Sequence, residues 1–148
     1  MKCRGFLASW GPVVLWAAVI FCFSTDSFSS AETSQIVAPA LYWLIPGITS
    51  YQLEIIHLAI RKLGHWSEYF VFAVLVLRAL RHQSSGRSEL RHNALTTVII
   101  FLYAISDELH QAFVPNRTSS FRDVLIDLFG GICAVFWLSL RGNWKKKP

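Results

Sequence analysis

The chain has 148 residues, a hydrophobic fraction of 53% and a mean hydropathy of +0.42, which is too apolar for an ordinary water-soluble domain. The net charge of +5 does not indicate a nucleic-acid-binding protein, because the basic residues lie at the ends of apolar runs. Three cysteines show no metal-binding spacing, and an odd number cannot close a complete disulfide framework. The sequence also lacks a phosphate-cradling glycine loop, a nucleophile elbow and the common zinc motifs.

Four apolar runs predict an all-α integral membrane bundle, since each run has close to the roughly 20 residues that cross a hydrocarbon core of about 30 Å. The predicted transmembrane helices are residues 6–23, 63–80, 94–114 and 123–140. With a tail at 141–148, they form a single membrane domain over residues 1–148. The first run also resembles a signal peptide, but its length favours a retained span.

A short apolar segment, Ile36–Ile45, follows the first span after a Ser/Thr-rich connection that reaches Gln35. Pro39 interrupts this segment, and ten residues are too few for a crossing. Tyr42 and Trp43 favour the headgroup level of a bilayer. The sequence therefore predicts an interfacial helical segment between the first and second spans.

Capping residues set the predicted helix boundaries. Ser50 is the expected N-cap of a helix that leads into the second span, and Asn93 is the expected N-cap of the third. The polar stretch 81–92 predicts a loop between these spans. Ser120 and Asp123 have the spacing of a capping box before the fourth.

The basic residues predict the orientation. Ten of the fourteen Lys and Arg residues lie before the first span, around the loop between the second and third spans, or after the fourth span. The positive-inside rule therefore places both termini and the 81–93 loop in the cytoplasm, with the segments around 24–62 and 115–122 outside. This describes a multi-pass protein whose first partner is the lipid bilayer.

Polar side chains collect at the predicted outer ends of the second, third and fourth spans. A charged side chain in the middle of the hydrocarbon costs about 2.5–3.5 kcal/mol, so these residues must face a protein interior, a watery cleft or a ligand. Helical periodicity places them toward one another, which predicts a single outward-facing pocket. The candidate residues are Lys62, His65, Glu68, Asp107, Glu108, His110, Gln111, Arg117, Asp123 and Asp127.

Six of these residues are catalytic candidates. His65 and His110 suit proton transfer, against the alternative of hydrogen-bonded histidines at helix ends. Asp107, Glu108 and Asp127 could hold a divalent metal ion or orient the histidines, although no ligand spacing specifies an ion. Glu68, three residues after His65 on the same helix, completes the six.

Four further residues are ligand-binding candidates. Lys62 and Arg117 could pair with a phosphate, and Gln111 and Asp123 could supply hydrogen bonds. For Asp123 the alternative is helix capping, and for the catalytic candidate Asp127 it is a buried hydrogen bond or ion pair with an arginine or a histidine.

Small residues continue the stripe of Asp123 and Asp127 along the fourth span. Gly130, Gly131 and Ala134 lie on this stripe. Because small residues let helix backbones approach, the stripe predicts close packing against a neighbouring helix.

Three motifs together resemble the VanZ-like family of bacterial membrane proteins. The motifs are Arg61-Lys62-x-x-His65-Trp66-x-Glu68-Tyr69, Ser106-Asp107-Glu108-x-His110-Gln111-x-Phe113-Val114-Pro115-x-Arg117 and Asp123-x-x-x-Asp127-x-x-Gly130. The chain departs from the family pattern at Asn116, where the family often has Gly, at Trp66, where Phe is commoner, and at Asp127, where Asn is usual. Asp127 adds an acid to the pocket.

The resemblance implies an integral protein of the bacterial cytoplasmic membrane. The family's namesake is associated with reduced susceptibility to teicoplanin, but the resemblance implies no defined reaction. The leading hypothesis is an outward-facing pocket that binds or acts on an envelope component, such as a lipid-linked phosphate or a peptidoglycan precursor. The alternative is a non-enzymatic scaffold or binding module with a structural polar network. Ion transport ranks last, because the deep halves of the second and fourth spans offer almost no ionisable relay.

Overall fold

The computed structural model of the protein describes residues 2–83 and 88–144. Over these residues the chain is all-helical, with no β-strand. The α-helices are α1 (Lys2–Phe23), α2 (Ser30–Leu44), α3 (Ser50–Gln83), α4 (Glu89–Gln111) and α5 (Phe121–Trp144), and a 3₁₀ turn covers Asp26–Phe28. The all-α prediction is confirmed.

Three of the described helices are long and apolar enough to cross a membrane: the Gly5–Phe23 part of α1, the whole of α3, and the Phe121–Arg141 part of α5. The third predicted span, 94–114, corresponds to α4, which does not belong to this group. Its uncharged stretch at 94–105 has polar or charged residues on both sides. At 1.5 Å per residue this stretch covers roughly 18 Å, short of a core of about 30 Å.

The helix that was predicted to lead into the second span joins it without a break. Helix α3 is continuous over 34 residues, so the segment before residue 63 and the second span are one helix. Its N-cap is Thr49 rather than Ser50, because the Gln52 backbone N–H donates to Thr49 Oγ1 at 3.3 Å while the Gln52 side chain accepts from the Thr49 N–H at 3.0 Å. This reciprocal pair is a capping box.

Two more boundaries differ from the predictions. Helix α4 begins at Glu89, so Asn93 is not its N-cap and instead donates to Ser139 Oγ at 2.9 Å. The loop before α4 is therefore shorter than the predicted 81–92, and its residues 84–87 lie outside the described residues, as does the tail at 145–148. Helix α2 begins at Ser30 rather than after Gln35, because the Ser29 side chain accepts from the Glu32 N–H and caps the helix.

Helix α3 is at the centre of the fold and packs against α1, α4 and α5. Residues with no exposed surface line its buried face and the facing sides of the other helices. They include Ile20, Tyr69, Ala73, Val76, Leu77, Ile100, Ala104 and Ala134. Large apolar side chains on the outside, such as Val14, Leu102 and Phe136, are more than half exposed, as expected of a surface that contacts lipid.

The glycine stripe on α5 is confirmed as a close-packing surface. A Cβ on Gly130 would lie 2.3 Å from the Trp66 carbonyl oxygen, and one on Gly131 would lie 2.8 Å from Ile100 Cγ2. Gly130 therefore brings α5 against the backbone of α3 at the level where the polar residues begin.

Candidate functional site

The predicted polar residues lie at one end of the bundle, where α1 and α4 end and α5 begins. At its centre is a group of buried or nearly buried side chains, here called the polar cluster. The polar cluster consists of Ser24, His65, Asp107, Gln111 and Asp127. Because these residues come from α3, α4, α5 and the segment after α1, the fold assembles the cluster from all of the main helices.

His65 and Asp127 connect α3 to α5. The His65 Nδ1 atom lies 3.2 Å from Asp127 Oδ1, and the Asp127 side chain has no exposed surface. The contact depends on Gly130, which lies three residues after Asp127 and lets the two helix backbones approach. Of the alternatives for Asp127, the structure therefore has the hydrogen bond to a histidine.

Asp107 connects α4 to the end of α1. The Ser24 hydroxyl donates to one carboxylate oxygen of Asp107, and the Gln111 side-chain amide donates to the other at 3.1 Å. The same amide also donates to Ser24 Oγ at 3.2 Å. All three side chains are buried, so Asp107 is held by neutral donors inside the protein.

Two other acids have structural partners. Lys62 forms an ion pair with Asp123, which is buried. Asp123 therefore connects α3 to α5, and its side chain is not the capping-box partner of Ser120. Ser120 Oγ instead accepts from the Arg122 N–H at 3.2 Å, while Glu108 Oε2 accepts from the Ser120 N–H at 2.7 Å.

Arg117 lies in the turn between α4 and α5. Asn116 has a φ of +57°, a left-handed conformation that Asn tolerates better than most residues. The Arg117 guanidinium donates to the Phe23 carbonyl and, through Nε at 3.1 Å, to the Thr25 carbonyl. Burial, assisted by the neighbouring Arg61 guanidinium, lowers the pKa of Arg117, but a guanidinium stays charged at neutral pH.

A cleft with a volume of ≈ 220 Å³ opens beside the polar cluster. Its lining combines two arginines, a histidine and an acid with apolar rings. The lining residues are Phe23, Ser24, Phe28, Arg61, Gly64, His65, Glu68 and Arg117. His65 and Ser24 belong to both the cleft and the polar cluster, so a ligand in the cleft could exchange a proton with His65.

The structure brings most of the predicted residues together, but not all of them into one pocket. His110 packs against Phe21, with ring centroids 4.4 Å apart. It does not line the cleft, and it is not one of the five polar-cluster residues. Glu108 faces the start of α5, and Lys62 with Asp123 lies one turn from the His65–Asp127 pair. Only His65, Glu68 and Arg117 of the predicted set line the cleft.

Several residues of the site were not predicted. Ser24 completes the polar cluster, and Arg61, Phe23 and Phe28 complete the cleft. The available signal was the polar group Ser24-Thr25-Asp26 directly after the first apolar run, at the same predicted membrane level as Asp107.

Three of the buried side chains have the geometry of metal ligands. One ligand atom each from His65, Asp107 and Asp127 lies within 4.8 Å of the other two. The sequence predicted Asp107, Glu108 and Asp127 as candidate metal ligands. In the structure His65, and not Glu108, has a ligand atom close to those of the two aspartates.

The apolar helices and the polar cluster buried between them define the class of an all-α membrane protein. A family model described as VanZ/LLP1 matches residues 9–141. The chain therefore belongs to the VanZ/LLP1 family, as its three motifs predicted. No curated protein and no solved structure matches the chain.

Proposed function

We propose that the chain crosses the bacterial cytoplasmic membrane four times, through α1, α3, α4 and α5, with both termini in the cytoplasm. The distribution of Lys and Arg supports this orientation. The exposed apolar face of α4, which includes Val98 and Leu102, supports its placement in lipid beside the other three helices. In this arrangement α2 lies in the outer interface, and the cleft opens beneath the outer leaflet.

Cysteine labelling in intact cells tests this placement. With Cys3, Cys22 and Cys133 replaced by Ala, the variants N116C and S88C each carry one cysteine at opposite ends of α4. A membrane-impermeant maleimide is expected to label N116C in intact cells and S88C only after lysis. Labelling of both variants from the same side would refute the four-span topology.

We further propose that the cleft binds the phosphate of a lipid-linked cell-envelope precursor. The observation that supports this most directly is the pair Arg61 and Arg117 in the lining of one cleft, because guanidinium groups bind phosphate oxygens in a fixed geometry. The Phe23 and Thr25 carbonyls orient Arg117. A volume of ≈ 220 Å³ fits a phosphate group and leaves the lipid chain to the surrounding bilayer.

The residues beside the arginines allow the cleft to act on its ligand as well as bind it. His65 lines the cleft and contacts Asp127, so Asp127 orients the imidazole for proton transfer. Glu68 is the second titratable group in the lining. This part of the proposal makes His65 the proton-transferring residue and Asp127 its positioning residue.

Binding of a polyprenyl phosphate tests the ligand class. Native mass spectrometry of the detergent-purified chain should detect a complex with polyprenyl phosphate and little or none with the uncharged polyprenol. R117Q should weaken the complex at least about tenfold, since a charge-assisted hydrogen bond contributes about 1.5–3 kcal/mol.

R122Q is the matched control for R117Q. Arg122 is exposed at the same end of the bundle and does not line the cleft, so its variant should bind like the natural chain. Equal binding of the polyprenol, or unchanged binding by R117Q, would refute a phosphate site.

A structural scaffold is the second candidate function. It is favoured by the Ser24–Asp107–Gln111 hydrogen bonds, which tie α1 to α4. A scaffold predicts that loss of these side chains lowers stability without changing the binding of any small ligand, so the polyprenyl phosphate titration separates the two functions.

A further inference from the structure

We propose that His65, Asp107 and Asp127 bind one divalent transition-metal ion, of the Zn²⁺ or Mn²⁺ class. The three residues come from α3, α4 and α5 respectively, and their ligand atoms lie within 4.8 Å of one another. A metal ion here would join three helices at one point, beside the cleft that His65 lines.

The distances suit a metal with little rearrangement. In an equilateral triangle with sides of 4.8 Å, the centre is about 2.8 Å from each corner, against about 2.0–2.2 Å for zinc bonds to imidazole and carboxylate. Shifts of well under 1 Å per side chain would therefore complete the coordination.

Unpartnered buried atoms provide an independent observation. Within residues 2–83 and 88–144, Asp127 Oδ2 and the Tyr69 hydroxyl are buried without a hydrogen-bond partner. Both side chains have no exposed surface. A buried carboxylate oxygen without a partner is costly, and a cation bound to Asp127 would supply the missing interaction.

The charge balance also favours a cation. Asp107 receives hydrogen bonds from neutral groups, Ser24 and Gln111, and Asp127 contacts an imidazole. Lys62 pairs with Asp123 and Arg117 donates to two carbonyls, and neither donates a hydrogen bond to Asp107 or Asp127. A divalent ion bound to both side chains would offset the charge of the two buried carboxylates.

The ligand types select the class of metal. One imidazole and two carboxylates suit Zn²⁺ or Mn²⁺, whereas Ca²⁺ prefers oxygen ligands alone. Because His65 also lines the cleft, an ion at this site could present an open coordination position to a ligand there. This last step rests on the phosphate binding of the proposed function, whereas metal binding itself does not. With an ion bound, the His65 imidazole would be a ligand and would not serve as the proton-transferring residue.

Isothermal titration of the chelator-treated, detergent-purified full chain with Mn²⁺ and with Zn²⁺ tests the site. The natural chain should bind one ion, and D127N should bind at least about tenfold more weakly. H57Q is the matched control, because His57 lies on the same helix and contacts Thr33 Oγ1 at 3.0 Å, away from the cluster. Absence of binding by the natural chain at millimolar metal, or unchanged binding by D127N, would overturn the proposal.

Pulsed electron paramagnetic resonance of the Mn²⁺-loaded natural chain tests the ligands without a substitution. Coupling to one imidazole nitrogen is expected, and its absence would overturn the assignment of His65. R117Q separates the two proposals, because it should bind Mn²⁺ like the natural chain while losing polyprenyl phosphate. Intact metal binding with no binding of the lipid phosphate would refute only the proposed function.

Discussion

The two ends of the helix bundle are built from the same helices but are packed in different ways. At the end near residues 112–120, α3, α4 and α5 meet through His65, Asp107 and Asp127. Toward the other end they meet mainly through fully buried apolar residues such as Val76, Ile100 and Ala134, with one hydrogen bond between neutral side chains, from Asn93 to Ser139, joining α4 to α5. The buried Thr96 hydroxyl at this end donates to the His92 carbonyl of its own helix at 2.9 Å.

This difference shows that the helices can pack without buried charge. Membrane helices associate largely through close van der Waals contacts between small residues, and Gly130, Gly131 and Ala134 provide them on α5. Buried charges are costly unless they are well paired. Helix packing alone therefore does not require the polar cluster.

Removing one side of the His65–Asp127 pair should have the largest effect on stability. H65L leaves the fully buried Asp127 carboxylate without its hydrogen-bond partner, so the free energy of unfolding should fall by about 3–5 kcal/mol. Denaturant unfolding of the purified variant in detergent measures this change. A loss below about 1 kcal/mol would mean that the carboxylate is already satisfied by another group.

An added methyl group at the boundary between the two ends should have the next largest effect. G130A places a Cβ against the Trp66 carbonyl, and the forced separation of α3 and α5 should lower the free energy of unfolding by about 1–3 kcal/mol. G11A is the matched control, because no atom lies within 4 Å of a Cβ at that helical position. Equal stability of the two variants would contradict the close packing of α3 and α5.

The ion pair at the outer rim of the polar end should contribute least. The Lys62 side chain is 33% exposed, so solvent screens its attraction to Asp123, and K62Q should cost at most about 1 kcal/mol. The same unfolding measurement checks this value. A loss as large as that of H65L would show that the whole polar end is a structural network.

The sequence predicted the helices and the side of the bundle on which the polar residues lie, because apolar length and helical spacing are local properties. Spacing also placed His65 and Asp127 toward a common interior, and the glycine stripe predicted the close contact beside them. The structure confirmed the all-α fold and that close contact, and the family-model match over residues 9–141 confirmed the family.

Other features depended on contacts that spacing does not encode. The partner of Asp107 is Ser24, 83 residues away, and pairing across helices depends on how each helix is rotated in the bundle. His110 interacts electrostatically with Asp107, as its place on the same face predicted, but its ring packs on Phe21 and does not line the cleft. The sequence also contains the capping box of Thr49 and Gln52, which begins one residue before the predicted N-cap Ser50.

Replacement of both members of the buried pair tests most directly whether the polar cluster serves a ligand rather than packing. The double variant H65L/D127L removes the buried polar groups of this pair together, and its free energy of unfolding in chelator should equal that of the natural chain or exceed it by up to about 4 kcal/mol. It should also lose Mn²⁺ binding. A double variant destabilised as much as H65L alone would show instead that the polar cluster holds the helices together.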